Sequence, residues 1–399
     1  MRVRKAGGTG PEGTGRAAAE RDGRTASSRA PLLEVRDLAV EFRTAEGTVR
    51  AVDGLSYRVD AGRTLAVVGE SGSGKSVSSL AVMGLLPDGA RVSRGQVLLA
   101  GEDLLTLSRR EHRDRCGDRV AMVFQDALAA LNPVHTVGYQ LTEALRARRG
   151  LSRRDAARRA VELLDLVRVP NARGRVKDHP HQFSGGMRQR VMIAIALAMD
   201  PDVLIADEPT TALDVTVQAQ VLRLLAEIQA ERRMGLVLIT HDLGVVAGVA
   251  DDVTVMYAGR VVERAPVRDT FRAPAHPYTR ALLRSIPSAA SGGPQGADAR
   301  RPRLSVIPGR PPSPAALPAG CAFHPRCDLA GDLCRSERPP LTTALTTQPH
   351  DDASSYPRAS ACHFAAEVLA SHDVPAAASG RPRPTGRRDA RETEEPTDA

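Results

Sequence analysis

Gly69-Glu70-Ser71-Gly72-Ser73-Gly74-Lys75-Ser76 is the stretch on which the reading of this chain turns. Its order fits G-x-x-x-x-G-K-[ST], a loop built to cradle phosphate. The loop directly follows the apolar run Leu65–Val68 and precedes Val77–Leu86, which we expect to be helical. Its glycines let the backbone curl until successive N–H groups point inward. The following helix adds the positive end of its dipole. Lys75 is then placed to bridge the β- and γ-phosphates of a nucleotide, and the Ser76 hydroxyl to ligate Mg²⁺. A Gly/Ser loop by itself is commonplace. A strand before it and a helix after it supply the context that the motif requires.

Working outward, two more short apolar runs, Val203–Ala206 and Leu236–Ile239, each end in a polar loop. Runs without alternation suit parallel strands covered on both faces. The first delivers Asp207 and Glu208 at its C-terminal end, where open α/β sheets place their ligands. Asp207 is expected to complete the Mg²⁺ shell. Glu208, one residue on, should point elsewhere and polarise the attacking water. The second run leads into Thr240-His241-Asp242. Leu33–Arg36 and Leu38–Phe42 alternate as a strand at a sheet edge would. Leu141, Leu145, Ala160, Leu163, Leu164, Leu166 and Val167 are spaced as in helices whose arginine-rich faces are solvated.

The chain has 399 residues, 42% of them hydrophobic, and a formal net charge of +8. The strongly apolar stretch near the middle, Val191–Met199, is far short of the roughly 20 residues that a membrane-spanning helix needs. Arg2, Arg4 and Lys5 are followed by no apolar segment of the kind found in secretory signals. We therefore expect a cytoplasmic protein that meets a membrane only through partners. The basic excess invites a nucleic-acid reading. Aromatics, however, make up only 3% with no Trp, and Arg16, Arg21, Arg24 and Arg29 lie in a polar end segment, so no nucleic-acid partner is expected.

Composition divides the chain further. Residues 1–30 and 369–399 read as disordered tails, and Ser288–Gln295 reads as a linker. Between them lie a nucleotide-binding domain over 31–286, with a helical subdomain at about 127–190, and a C-terminal extension over 287–368. No internal repeat is evident, so one nucleotide module is expected.

Phe183-Ser184-Gly185-Gly186-Met187-Arg188-Gln189-Arg190 resembles the signature sequence of ABC ATPases. Its hydroxyl and bare glycine N–H groups at a helix start are again anion-binding chemistry. In the same family's order, Gln125 resembles the Q-loop glutamine, Asp214 the D-loop aspartate and His241 the switch histidine. The resemblance implies an α/β fold: a P-loop ABC ATPase core, mostly parallel with an antiparallel edge sheet, an inserted helical subdomain and an irregular Cys-rich end. It also implies ATP as substrate, Mg²⁺ held through Ser76, Gln125 and Asp207, and two modules head to tail, with Ser184, Gly185, Gly186 and Met187 covering the other module's nucleotide. Such proteins stack adenine on an upstream aromatic. Phe42 is the best candidate, and Tyr57 reads as a core strand residue.

Text outside these motifs resembles the ATPase subunits of oligopeptide and dipeptide importers, namely His179–Leu197, Thr211–Gln220, Leu131-Asn132-Pro133 and His276–Leu283. Many relatives carry Pro-Met-Thr-Ser after the Q-loop, where this chain has Ala127-Leu128-Ala129-Ala130. The resemblance implies a second, related ATPase subunit, two transmembrane permeases, an extracytoplasmic solute-binding protein acting indirectly, and a place at the cytoplasmic face of the membrane. Import of nickel or another small solute is the alternative. A soluble ABC protein acting on DNA or ribosomes fits less well, because two modules or a long coiled-coil insertion would be expected.

Cys321, Cys327, Cys334 and Cys362 follow a C-x5-C-x6-C-x27-C spacing among many prolines. Structural disulfides are unexpected in a cytosolic chain. Zinc ribbons favour C-x2-C pairs, which are absent, whereas iron–sulfur clusters accept looser spacing. Relatives with this extension carry a four-cysteine cluster segment, so the resemblance favours [4Fe–4S], with Zn²⁺ or unligated thiols as alternatives. Cys116 stands apart and reads as an ordinary semi-buried residue.

Overall fold

A computed structural model describes residues 30–211, 213–286, 306–343 and 357–371. The linker expected at Ser288–Gln295 and nearly all of both tails lie outside the described residues. The last helix among the described residues, Ala365–Ala370, runs two residues past the start of the tail expected over 369–399.

Among the described residues, eleven strands form two sheets. Strands β1 (Leu33–Thr44), β2 (Gly47–Val59), β4 (Ala90–Leu99) and β5 (Glu102–Asp103) make an antiparallel sheet in the order β2-β1-β4-β5. β1 therefore lies inside this sheet, not at an edge as its alternation suggests. Both neighbours pair along it, β2 from Leu33 opposite Val59 and β4 from Leu33 opposite Leu99. One solvated face produces alternation wherever a strand sits in an antiparallel sheet, so alternation does not mark an edge.

The second sheet combines β3 (Thr64–Val68), β6 (Val120–Val123), β7 (Val203–Asp207), β8 (Gly235–Thr240), β9 (Asp252–Tyr257), β10 (Arg260–Pro266) and β11 (Ala359–Ser360). Its order is β11-β10-β9-β3-β8-β7-β6. The pairs β6–β7, β7–β8, β8–β3 and β3–β9 are parallel, and β10 and β11 are antiparallel additions at one edge. Every residue of β3, β7 and β8 is buried, as their unbroken apolar runs require.

Period-two alternation survives inside those runs as a division between cores. Val203 and Ile205 join Leu65, Val67, Val237 and Ile239 beneath the antiparallel sheet. Leu204, Ala206, Leu236 and Leu238 face the other way, onto a core shared with Leu141, Leu145, Leu163 and Leu164 of the helical region. Each such fully buried leucine contributes about 2 kcal/mol over leaving it in water. A third core joins Ala66 and Val68 to Tyr257, Tyr278 and Phe323, so the C-terminal segment packs directly on the seven-stranded sheet.

The helical region contains Ala127–Ala130, Val137–Arg149, Arg153–Leu166, Ala172–Arg175 and Gly185–Ala196. Ser152 caps the third of these by accepting from Asp155 N at 3.1 Å, while Ala156, Ala160, Leu163 and Leu164 form its buried stripe. No described helix is long and apolar enough to cross a membrane.

Candidate functional site

Four adjacent strands, β3, β8, β7 and β6, end at the same edge of the sheet. Gly69, His241 and Gln125 follow β3, β8 and β6, and Asp207 ends β7 with Glu208 directly after it. The phosphate loop turns because Gly69, Gly72 and Gly74 all take positive φ. At Gly74, φ is +97° and an added Cβ would meet the Ala51 carbonyl oxygen at 2.5 Å, so only glycine fits. The helix that follows runs Lys75–Val82, beginning two residues before the Val77 expected from sequence. No side chain caps its first turn, which leaves those N–H groups available to an anion.

Lys75 is buried and donates to the carbonyls of Gly69 at 2.8 Å and Glu70 at 3.0 Å. Burial pulls its pKa down, against the carboxylates of Glu208, Asp207 and Glu70, which raise it. Ser76 Oγ donates to Asp207 Oδ1 at 3.0 Å. Burial holds the Asp207 carboxyl above its usual range, and neighbouring Glu208 adds to the effect while Ser76 and Lys75 oppose it. Ser73 Oγ is buried with no hydrogen-bond partner. An unsatisfied hydroxyl beside a helix start that no side chain caps fits a ligand rich in acceptor oxygens, as phosphate is.

Glu208 is the hub of the opposite wall. Its backbone is left-handed, with φ of +45°, and its side chain bonds to partners different from those of the preceding Asp207. Its carboxylate accepts from Gln125 Nε2 at 2.9 Å and Thr211 Oγ1 at 2.9 Å, and lies 3.2 Å from His241 Nδ1. The left-handed backbone costs about 1–2 kcal/mol, a strain of the kind functional sites retain. The motifs in the sequence do not single out Thr211. Its position three residues after Glu208 is the available signal.

The remaining candidates lie elsewhere. Ser184 caps Gly185–Ala196 by accepting from Met187 N at 3.4 Å, and Ser184 and Gly185 are exposed. Gly186 packs on Val217, whose Cγ1 an added Cβ would meet at 2.5 Å. Asp214 caps Val215–Arg232 through Thr216 N and Val217 N at 3.1 and 3.0 Å. Phe42 is half-buried on β1 against the core below the antiparallel sheet, and Tyr57 is fully in that core. Cys116 is buried more completely than expected, and burial pushes its thiol up to about 11.

Glu70 departs from the pattern expected of a loop residue. Its backbone N–H donates to Tyr278 Oη at 2.8 Å instead of pointing into the nest. Its carboxylate receives Arg326 Nη1 at 2.7 Å and Nη2 at 2.9 Å. Arg326 comes from the C-terminal segment, 256 residues along the chain from its partner. No sequence signal links them.

Cys321, Cys327, Cys334 and Cys362 line one small cavity together with His276 and Phe323. Burial pushes the Cys327 thiol up to about 11 and Cys362 up to about 12, and raises Cys321. Among the described residues, no three His, Cys, Asp or Glu side chains are grouped to hold a metal ion.

Comparison with known proteins adds to this geometry. The ABC transporter family matches residues 52–211, and the family described as "Oligopeptide/dipeptide transporter, C-terminal region" matches 262–334. A putative peptide import ATP-binding protein of Brucella melitensis is 48% identical over 322 residues, covering 79% of this chain and 95% of its own. The chain belongs to the ABC transporter ATPases. The dipeptide transport ATP-binding protein DppD of Haemophilus influenzae and the oligopeptide transport ATP-binding protein OppD of Salmonella typhimurium are each 49% identical over 310 residues. Those matches span 78% of this ABC ATPase and 92% and 90% of the relatives. Among solved structures, the dimeric bacterial cassette MJ0796 aligns with a TM-score of 0.54 at 26% identity, covering 59% of this chain and 99% of the cassette. The same cassette in a post-hydrolysis state, bound to ADP and Pi, aligns equally well. CbiO1 from Clostridium perfringens, part of the transporter complex cbiONQ, aligns with a TM-score of 0.52 at 28% identity.

Proposed function

We propose that this ABC ATPase energises import of oligopeptides or dipeptides from the cytoplasmic face of the membrane. The observation that carries the ATPase half is the convergence of Gln125, Thr211 and His241 on Glu208 opposite the Lys75 loop. The relatives named for dipeptide and oligopeptide transport support the peptide half.

In this reading residues 31–286 bind the nucleotide and 287–368 form the extension. The phosphates of ATP rest on the backbone N–H groups of Gly69–Ser76, with the Glu70 carbonyl holding Lys75 and Ser73 N in place beside them. Lys75 exchanges the carbonyls of Gly69 and Glu70 for β- and γ-phosphate oxygens, and Ser73 Oγ gains an acceptor. Ser76, Asp207 and Gln125 offer the hard oxygens that suit Mg²⁺, and the crowding of Asp207 with Glu208 favours a cation there. Bound Mg²⁺ supplies charge neutralisation at the β- and γ-phosphates. Glu208 orients and polarises the attacking water, His241 contacts the γ-phosphate, and Phe42 stacks on adenine.

The turn at Ser184, Gly185, Gly186 and Met187, with Asp214, covers the nucleotide of a second ATPase subunit. The dimeric state of the related cassette supports such an arrangement. A related but distinct partner subunit is the first choice. Phe124, Val134 and Tyr139 are exposed in the stretch around and after Gln125, where they are available to the two permeases, through which an extracytoplasmic binding protein acts. The four cysteines hold a [4Fe–4S] cluster. Their convergence on one cavity supports it, since each iron of such a cluster takes one thiolate.

The test is reconstitution with partner subunit, permeases and binding protein. ATP turnover should rise with peptide, and Lys75→Ala should lose ATP binding. An assembled complex that neither binds nor cleaves ATP overturns the reading.

A further inference from the structure

Glu70 stands second in a loop whose other polar groups are arranged for an anion. A carboxylate there opposes phosphate by like-charge repulsion unless something neutralises it. The C-terminal segment supplies that partner. Arg326 closes a two-point contact on the Glu70 carboxylate, at 2.7 and 2.9 Å, with its own side chain only 5% exposed. The guanidinium is fixed from three other sides. Its Nε donates to Pro308 O at 2.9 Å, its Nη1 reaches Tyr257 Oη at 3.2 Å, and its carbon lies 5.8 Å from the Tyr257 ring centre and 6.0 Å from that of Phe323. Tyr278 holds the backbone N–H of the same glutamate.

Glu70 in turn touches the lysine of the loop. Its carbonyl accepts from Lys75 Nζ at 3.0 Å and from Ser73 N at 3.2 Å. Its two ends therefore face different partners, the carboxylate toward the extension and the carbonyl toward the groups that meet phosphate. A planar, bidentate arginine grip restrains orientation as well as charge, which a lysine in its place would not do.

We infer that Arg326 is a positioning residue for the ATP site: by neutralising and orienting Glu70, it makes the C-terminal segment a structural part of the phosphate loop. The inference rests on the reading that this loop binds ATP. It gives the extension a place in nucleotide binding separate from whatever the cysteines hold.

The experiment is MgATP affinity of the full chain, measured by titration with a fluorescent ATP analogue and by competition with ATP. Arg326→Met should weaken binding on the order of tenfold or more, because an unpaired carboxylate is left beside the phosphates. Removing that charge as well, in Glu70→Gln/Arg326→Met, should recover a large part of the loss. Arg326→Lys, which keeps charge but not the fork, should fall between wild type and Arg326→Met. Packing of the extension alone cannot produce rescue by Glu70→Gln, so the rescue separates charge compensation from a general structural effect. Wild-type affinity in Arg326→Met, or a double variant no better than Arg326→Met, overturns the inference. If Arg326→Met does not fold, Arg326→Lys with and without Glu70→Gln decides by the same rescue. Failure of the wild-type chain to bind ATP would instead overturn the proposed function itself.

Discussion

Gln125 Nε2 donates to Glu208 Oε2 at 2.9 Å, tying the loop after β6 to the loop after β7. The same oxygen accepts from Thr211, and the other carboxylate oxygen faces His241. A carboxylate held by three side chains is oriented before any water arrives. Such preorganisation is what a general base needs.

Glu208→Gln should therefore bind ATP with near-normal affinity while turnover in the reconstituted complex falls by about 10²–10⁴. Steady-state phosphate release measured beside nucleotide binding checks both halves. Turnover near the wild-type rate would remove Glu208 from its assigned role.

Gly74→Ala tests the geometry of the phosphate loop. The added methyl must meet the Ala51 carbonyl oxygen at 2.5 Å on a backbone with φ of +97°. The loop has to shift, so ATP affinity should drop on the order of tenfold or more, with a loss of roughly 1–3 kcal/mol in stability. Unchanged nucleotide affinity would show that the loop tolerates a different curl.

His276 makes a prediction about pH. It caps the helix Pro277–Arg284 by accepting from Tyr278 N at 3.1 Å, and burial lowers its pKa to about 3. In the unfolded chain a histidine titrates near 6.5. The unfolded state therefore takes up a proton between about pH 6.5 and 3 that the folded state refuses, and stability falls as pH falls through that window. The slope contributed is at most about 1.4 kcal/mol per pH unit. His276→Asn keeps a cap acceptor without the titration, so its unfolding midpoint should depend less steeply on pH. Parallel curves for the two proteins would refute the assignment.

The cysteine cavity makes a compositional prediction. Protein purified without oxygen should be brown and contain iron with inorganic sulfide, and Cys334→Ser should lower both. Colourless protein carrying stoichiometric zinc, or no metal at all, would exclude the cluster.

Much of the candidate site is legible in the sequence. Gly69–Ser76, Asp207-Glu208, Gln125 and His241 each follow an apolar run, and parallel strands bring the ends of such runs to one edge. Less legible is the placing of β1 inside its sheet, because alternation reports a covered face and not the number of neighbours. The full burial of Cys116 is equally hidden. It depends on the packing of Arg109–Asp118 beside Val82, whose carbonyl the thiol approaches at 3.7 Å.

What the sequence determined alone was chemistry carried by contiguous residues: a phosphate loop, an acidic pair after a strand, a signature at a helix start. Short-range order sets these because a glycine's φ range or a helix's free N–H groups depend on a few neighbours. The tertiary structure alone decided that Glu70 faces Arg326 and Tyr278. Those meetings depend on how distant segments pack across a common core, here Tyr257, Tyr278 and Phe323. No local pattern encodes which buried charge will find which partner.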